Sequence, residues 1–235
     1  MNIIKINIII LLLLSSVDLS GQHRKLQNQP YADQQKFNLG FSIGVHTQDL
    51  ILSHSGLENH NGEVWFSEIP KYSPGFTVGV IGDINLNRYL NFRITPTLLL
   101  GDKHFVFKEQ STGEEFNTSI RNNYFSIPLH LKIAIERINN YKPYVIFGGY
   151  GLLEMTSNKN RPVLLKPYDF GLEFGVGCDF YLPLFKIAPE IKFSFGMIDI
   201  LETDRSDLKE EELQKFARSL SGATQRMITF CLNFE

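Results

Sequence analysis

A chain of 235 residues with a formal net charge of −2 is long enough for one domain or two small ones, and it lacks the basic excess that would suit a nucleic-acid partner. Its two cysteines exclude a disulfide framework for an exported protein of this size. The first residues are expected to be removed rather than folded. Lys5 precedes the unbroken apolar run Ile8–Leu14, and small or polar residues follow to Gly21, the pattern of a cleaved secretory signal over residues 1–21. That run is too short for a bilayer-spanning helix, which needs about 20 residues. Residues 22–36 are polar and read as a periplasmic linker, and residues 37–235 form the folded unit.

From Phe37 onward the chain breaks into segments of period two separated by turn-rich stretches, the signature of strands. In the first, Phe37, Leu39, Phe41, Ile43 and Val45 share one face, and Asn38, Gly40, Ser42, Gly44 and His46 the other. Pro74-Gly75 opens the second, Phe76–Asp83. The third sets Leu90, Phe92, Ile94, Leu98 and Leu100 against Asn91, Arg93, Thr95 and Thr97, with Pro96 marking a bulge or a locally unpaired amide. The fourth sets Phe125, Ile127, Leu129, Leu131 and Ile133 against Tyr124, Ser126, His130 and Lys132. The fifth, Pro143–Leu153, is glycine-rich and weakly patterned. In the sixth, Tyr168, Phe170, Leu172, Phe174, Val176, Cys178 and Phe180 alternate with Asp169, Gly171, Glu173, Gly175, Gly177 and Asp179. The seventh sets Ile187, Ile191, Phe193, Phe195 and Met197 against Glu190, Lys192, Ser194 and Gly196. The last sets Ile228, Phe230, Leu232 and Phe234 against Thr229, Cys231 and Asn233, and ends on an aromatic one position before the carboxyl terminus. Cys178 and Cys231 therefore fall on opposite faces and are expected to be free.

Long and short connections alternate. Thr47–Ser73, Lys108–Ser119, Glu154–Pro167 and Ile198–Ala223 are long, whereas Ile84–Arg88, Glu136–Lys142 and Tyr181–Lys186 are compact. This asymmetry, with the signal and the aromatic end, predicts an all-β fold: an eight-stranded antiparallel up-and-down transmembrane β-barrel with long external loops and short periplasmic turns. Tyr89, Tyr141, Tyr144, Tyr181 and Phe185 on the short-turn side, and Trp65, Tyr72, Tyr124, Tyr150 and Tyr168 on the other, are expected to form interfacial belts. Alternation alone does not say which face points outward, because a soluble lipocalin-like barrel has the same period with its apolar face inside. In the membrane orientation Arg93, His130, Lys132, Glu173, Asp179, Glu190 and Lys192 fill the lumen and must pair there. The interior of an eight-stranded barrel is just wide enough for side chains, so this cluster is expected to rigidify and plug rather than conduct.

Catalytic and cofactor signals are weak. His46, His54 and His60 lie in or beside the first long connection among Asp49, Glu58, Glu63 and Glu68, but their spacing fits no zinc pattern. No nucleophile elbow, phosphate loop or dinucleotide fingerprint occurs. No enzyme activity, metal, cofactor or small-molecule substrate is expected. The last long connection carries Asp207 as a helix cap with Glu210 behind it, an apolar stripe of Leu213, Phe216, Ala217 and Leu220, and Gly222 as a stop. That stripe needs a cover, either the barrel rim or first loop, or a partner protein.

Several segments together resemble one family. These are Pro74-Gly75-Phe76, Ile127-Pro128-Leu129-His130-Leu131-Lys132, Pro143-Tyr144-Val145-Ile146, the long stretch Asp179–Gly196, and the terminal Arg226–Thr229. They are similar to the PorT family of Bacteroidetes outer-membrane proteins, over nearly the whole mature chain. The resemblance implies a non-enzymatic role in type IX (Por) secretion, which exports proteases, adhesins and gliding-motility proteins. Its implied partners are membrane lipid and other secretion components or client proteins, and it carries over no catalytic or cofactor residue. A generic small barrel acting as adhesin, envelope stabiliser or loop-based binding module is the alternative.

Overall fold

A computed structural model describes residues 27–54, 65–71, 74–109, 115–155, 165–202 and 220–235. The signal segment, most of the acidic last connection, and His60 lie outside them. Among the described residues, ten strands form one antiparallel sheet: β1 (Phe37–His54), β2 (Trp65–Lys71), β3 (Pro74–Asn85), β4 (Leu90–Ile94), β5 (Thr97–Glu109), β6 (Glu115–Ala134), β7 (Tyr141–Glu154), β8 (Tyr168–Tyr181), β9 (Lys186–Gly196) and β10 (Leu220–Phe234). β2 with β3, and β4 with β5, are successive parts of single staves, so the closed barrel has eight. β1 pairs with β3 on one side and β10 on the other, which closes the ring. At that seam Phe41 and Phe234 stand opposite each other with rings stacked 4.8 Å apart.

The division between β4 and β5 follows from Pro96. Gly82 pairs with Ile94 and Gly79 with Thr97, and across the other edge Leu129 pairs with Ile94 and Ser126 with Thr97. No residue is inserted on either side, so there is no bulge. Pro96 supplies no N–H, but its carbonyl still accepts from Val80 at 3.0 Å, and Thr95 donates to the Pro128 carbonyl at 3.2 Å.

Wall and lumen are chemically inverted relative to a soluble barrel. Leu39 is 64% exposed and Val80 60%, while Arg93 and Lys132 are each 1% exposed. The apolar parity faces outward on every stave, as lipid demands. The short turns agree with expectation: β3 to β4, β6 to β7 and β8 to β9 are all compact. In the second of these, Asn139 and Asn140 form a two-residue hairpin loop bracketed by reciprocal Ile138 and Tyr141 bonds, with Asn139 at φ 55.

The long connections are shorter than the alternation predicts. β1 runs on to His54, β2 begins at Trp65, β5 reaches Glu109, β6 starts at Glu115 and β10 starts at Leu220. With β1 at 18 residues and β6 at 20, staves overrun the roughly 9–11 residues a membrane crossing needs. Above the bilayer neither face must be apolar, so the strand carries no alternation to detect. Leu220 and Gly222 belong to β10, Leu220 opposite His54 and Gly222 opposite Ser53, so they do not end a helix. Leu213, Phe216 and Ala217 lie outside the described residues.

Candidate functional site: the charged lumen and its periplasmic mouth

The polar parity of each stave brings the predicted cluster together inside the barrel. Arg93 of β4 is its hub. Its guanidinium donates to Asp83 Oδ2 at 2.7 and 3.1 Å, to Glu235 Oε1 at 2.6 Å and to Glu190 Oε2 at 3.4 Å. Asn91 donates to the other Asp83 oxygen at 2.9 Å. Lys132 of β6 reaches both oxygens of Asp179 at 2.9 and 2.7 Å and sits 4.0 Å from the Tyr144 ring centroid. Tyr144 in turn donates to Glu190 at 2.7 Å, and Lys186 meets the second Glu235 oxygen at 2.6 Å. Arg93 and Lys132 thereby join staves that are not neighbours in the sheet, whereas Lys186 meets Glu235 beside it at the end of the adjacent stave.

A second group lies beside this hub. Glu173 of β8 is approached by His130 Nε2 at 3.0 Å, Lys192 Nζ at 3.3 Å and the donating hydroxyl of Ser194 at 2.7 Å. A serine, a histidine and a carboxylate thus meet, but Ser194 bonds the carboxylate rather than the imidazole. Ser194 and His130 are both buried at 1%. A further set of buried side chains, Leu99, Tyr124, Tyr150, Leu152 and Met227, forms an apolar cluster in the lumen.

All seven charges named from the sequence are buried and face inward. Pattern reading missed Asp83, Tyr144, Lys186 and Glu235. Asp83 had the correct parity and could have been found. Tyr144 and Tyr181 were assigned to the lower belt and Tyr124 and Tyr150 to the upper one, but all four point into the lumen. Height along a strand does not make a belt residue; parity decides, and these four share the polar parity. Tyr89, Tyr141, Phe185 and Tyr168 do face outward. His46, expected on the polar face of the first strand beside the long connection, is a buried residue of β1 whose ring packs where a Cβ on Gly75 would come within 2.3 Å. Among the described residues no group of three His, Cys, Asp or Glu is placed to hold a metal. Cys178 and Cys231 are both free thiols, on opposite faces.

The segment expected to be a linker folds across the periplasmic mouth. Its short 3₁₀ turn, Ala32–Gln34, carries Asp33, which accepts from Lys142 Nζ at 2.8 Å and from the Tyr181 hydroxyl at 2.7 Å. Partial burial opposes ionisation of Asp33, yet the bonds from Lys142 and Tyr181 and the charges of Lys142 and Arg137 outweigh it and hold the carboxyl below the usual aspartate value. Above this segment lies a polar cavity of about 80 Å³ lined by Asp33, Asn91, Lys132, Asp179, Lys186 and Glu235 among others.

Residues 25–202 match the family described as outer membrane protein beta-barrel domain. The chain belongs to that family. As a member of the outer membrane protein beta-barrel family it resides in the outer membrane, with lipid around its apolar wall. Solved barrels share the general architecture at low identity. Neisserial surface protein A is 10% identical, with 85% of this chain and 98% of that one covered at a TM-score of 0.42. OprG from Pseudomonas aeruginosa is 11% identical, with coverage of 84% and 92% at 0.47. Ail of Yersinia pestis is 13% identical, with coverage of 85% and 98% at 0.36. No curated protein matches the sequence.

Proposed function

We propose that this barrel is a closed, non-conducting and non-enzymatic outer-membrane protein that acts through the surfaces at its two rims rather than through its bore. The supporting observation is the ion-paired lumen: Arg93 reaches Glu190 and Glu235, and Lys132 reaches Asp179, each between staves that are not neighbours, so these pairs cross the space a solute would need, and Lys186 and Lys192 line it. Reconstitution into planar bilayers should leave the conductance at the lipid baseline. Large, stable openings would count against the proposal.

Within that class we infer an accessory role in type IX protein secretion, through contacts with other secretion components or with client proteins. The resemblance of Asp179–Gly196 and of Arg226–Thr229 to the PorT family favours it. Deletion of the gene should strip proteases and adhesins from the culture supernatant, as measured by quantitative proteomics. Unchanged export would instead leave a small barrel working as adhesin, envelope stabiliser or loop-based binding module.

A further inference from the structure

The strap formed by residues 27–36 is held at the mouth by recognition rather than by hydrophobic burial. Its 3₁₀ turn contributes no buried residue, and Tyr31 is 71% exposed. Its described contacts are polar and specific. The Asn28 amide N–H donates to Asn140 Oδ1 at 2.9 Å, its side chain to the Tyr181 carbonyl at 2.9 Å, and Gln29 to the Leu182 carbonyl at 2.9 Å. Arg137 donates to the carbonyls of Asn28 and Gln29 and lies 3.6 Å from Asp33. At the far end, Asn85 donates to the carbonyls of Gln35 and Lys36.

The receiving side is built into the barrel. Arg137 is fixed by the turn carbonyl of Asn139 at 2.7 Å and by the face of Tyr181, whose ring centroid is 3.6 Å from the guanidinium carbon. The main chains of Lys142, Asn140 and Tyr181 belong to the strands and turn of the β6–β7–β8 meander, which fixes where their side chains start. The strap is the party that bends: Gln29 adopts φ 48, a left-handed backbone that side chains other than glycine seldom take. Arg137 and Lys142 also offer two cations to the single carboxylate of Asp33.

We propose that the periplasmic mouth is a binding site for an extended, acidic peptide segment of a periplasmic partner, and that the chain's own strap occupies it in cis. The ligand would supply a carboxylate to Lys142, Arg137 and the Tyr181 hydroxyl, and two main-chain carbonyls to Arg137. Because the turn of the strap buries no residue, a polar segment can replace what it contributes. A tethered strap meets its site at an effective concentration on the order of millimolar, so a competitor must match the site better or meet a weakened strap. This goes beyond action at the rims by assigning one rim a ligand chemistry, and it does not depend on the secretion role.

The probe is a fluorescein-labelled peptide with the sequence of residues 27–36, added to full-length protein folded in detergent and followed by anisotropy. Asp33→Lys sets a cation against Lys142 and Arg137 and should expel the strap, raising peptide affinity at least tenfold over wild type. Introducing Arg137→Ala into that protein, or Asp33→Asn into the peptide, should each lower affinity at least tenfold. Folding of each variant is verified by heat-dependent gel mobility, and Asn28→Ala with Asp33→Ala serves as a second strap-weakened protein. No binding to either strap-weakened protein, or binding indifferent to Arg137→Ala, would overturn the proposal. So would a wild-type dimer in native mass spectrometry that Asp33→Lys dissolves, since the occupant would then be a second copy's strap.

Discussion

Arg93→Met is expected to lower the unfolding free energy of the barrel by about 3–5 kcal/mol, the range for removing one partner of a buried ion pair. The loss is not that of a single bond. Asp83, Glu190 and Glu235 share this one guanidinium, at 2.7, 3.4 and 2.6 Å, and without it three carboxylates face one another in a narrow lumen. Water entering the space left by the shorter side chain relieves some of that cost, which is why the lower figure is realistic. Arg93→Lys keeps the charge but loses the fork that reaches Asp83 and Glu235 together, so it should fall between the two. Urea titration in lipid vesicles, with tryptophan fluorescence and gel mobility as independent probes, measures the difference. A change under about 1 kcal/mol for Arg93→Met would mean that the lumen is wetter and less dependent on pairing than the distances indicate.

Val176→Arg should destabilise the same barrel by about 2–4 kcal/mol, because it places a guanidinium on the lipid face far from either interface. Val176 is exposed near the middle of β8, between Phe174 and Cys178 on the outward parity. On a soluble barrel of identical topology the same substitution would put a charge into water at almost no cost. The two orientations thus differ by several kcal/mol in one experiment. Refolding yields in vesicles of increasing thickness should fall more for this variant than for wild type, since a thicker core leaves the long side chain less able to reach the headgroups.

Much of the wall was legible from alternation, because lipid outside and charge inside impose strict parity on every crossing. The lumen charges followed from that parity, down to the facing of Glu173, Glu190 and Lys192. Their pairing did not, since Arg93 binds not only its hairpin neighbour Asp83 but also residues 97 and 142 positions away, and only the closed ring brings those two to it. The tyrosines show the same limit from the other side. Tyr144 and Tyr150 stand near strand ends, where a belt is expected, yet their polar parity turns them inward, and Tyr144 becomes the donor that completes Glu190. Strand ends outside the bilayer, such as the upper parts of β1 and β6, carry no alternation because nothing there selects it. The strap was invisible for a related reason: it is anchored by single polar groups on distant turns, and a polar segment without periodicity looks like a linker.

Glu235 ties barrel closure to the charge network of the lumen. Glu235 joins Arg93 of the third stave to Lys186 of the seventh, and its own main chain exchanges bonds with Lys186 at 2.7 and 3.0 Å. While the sheet is open, Arg93 has its hairpin neighbour Asp83 but neither Glu190 nor Glu235. The electrostatic gain therefore arrives only with the first and last staves joined, which makes closure a cooperative latch rather than a gradual zippering.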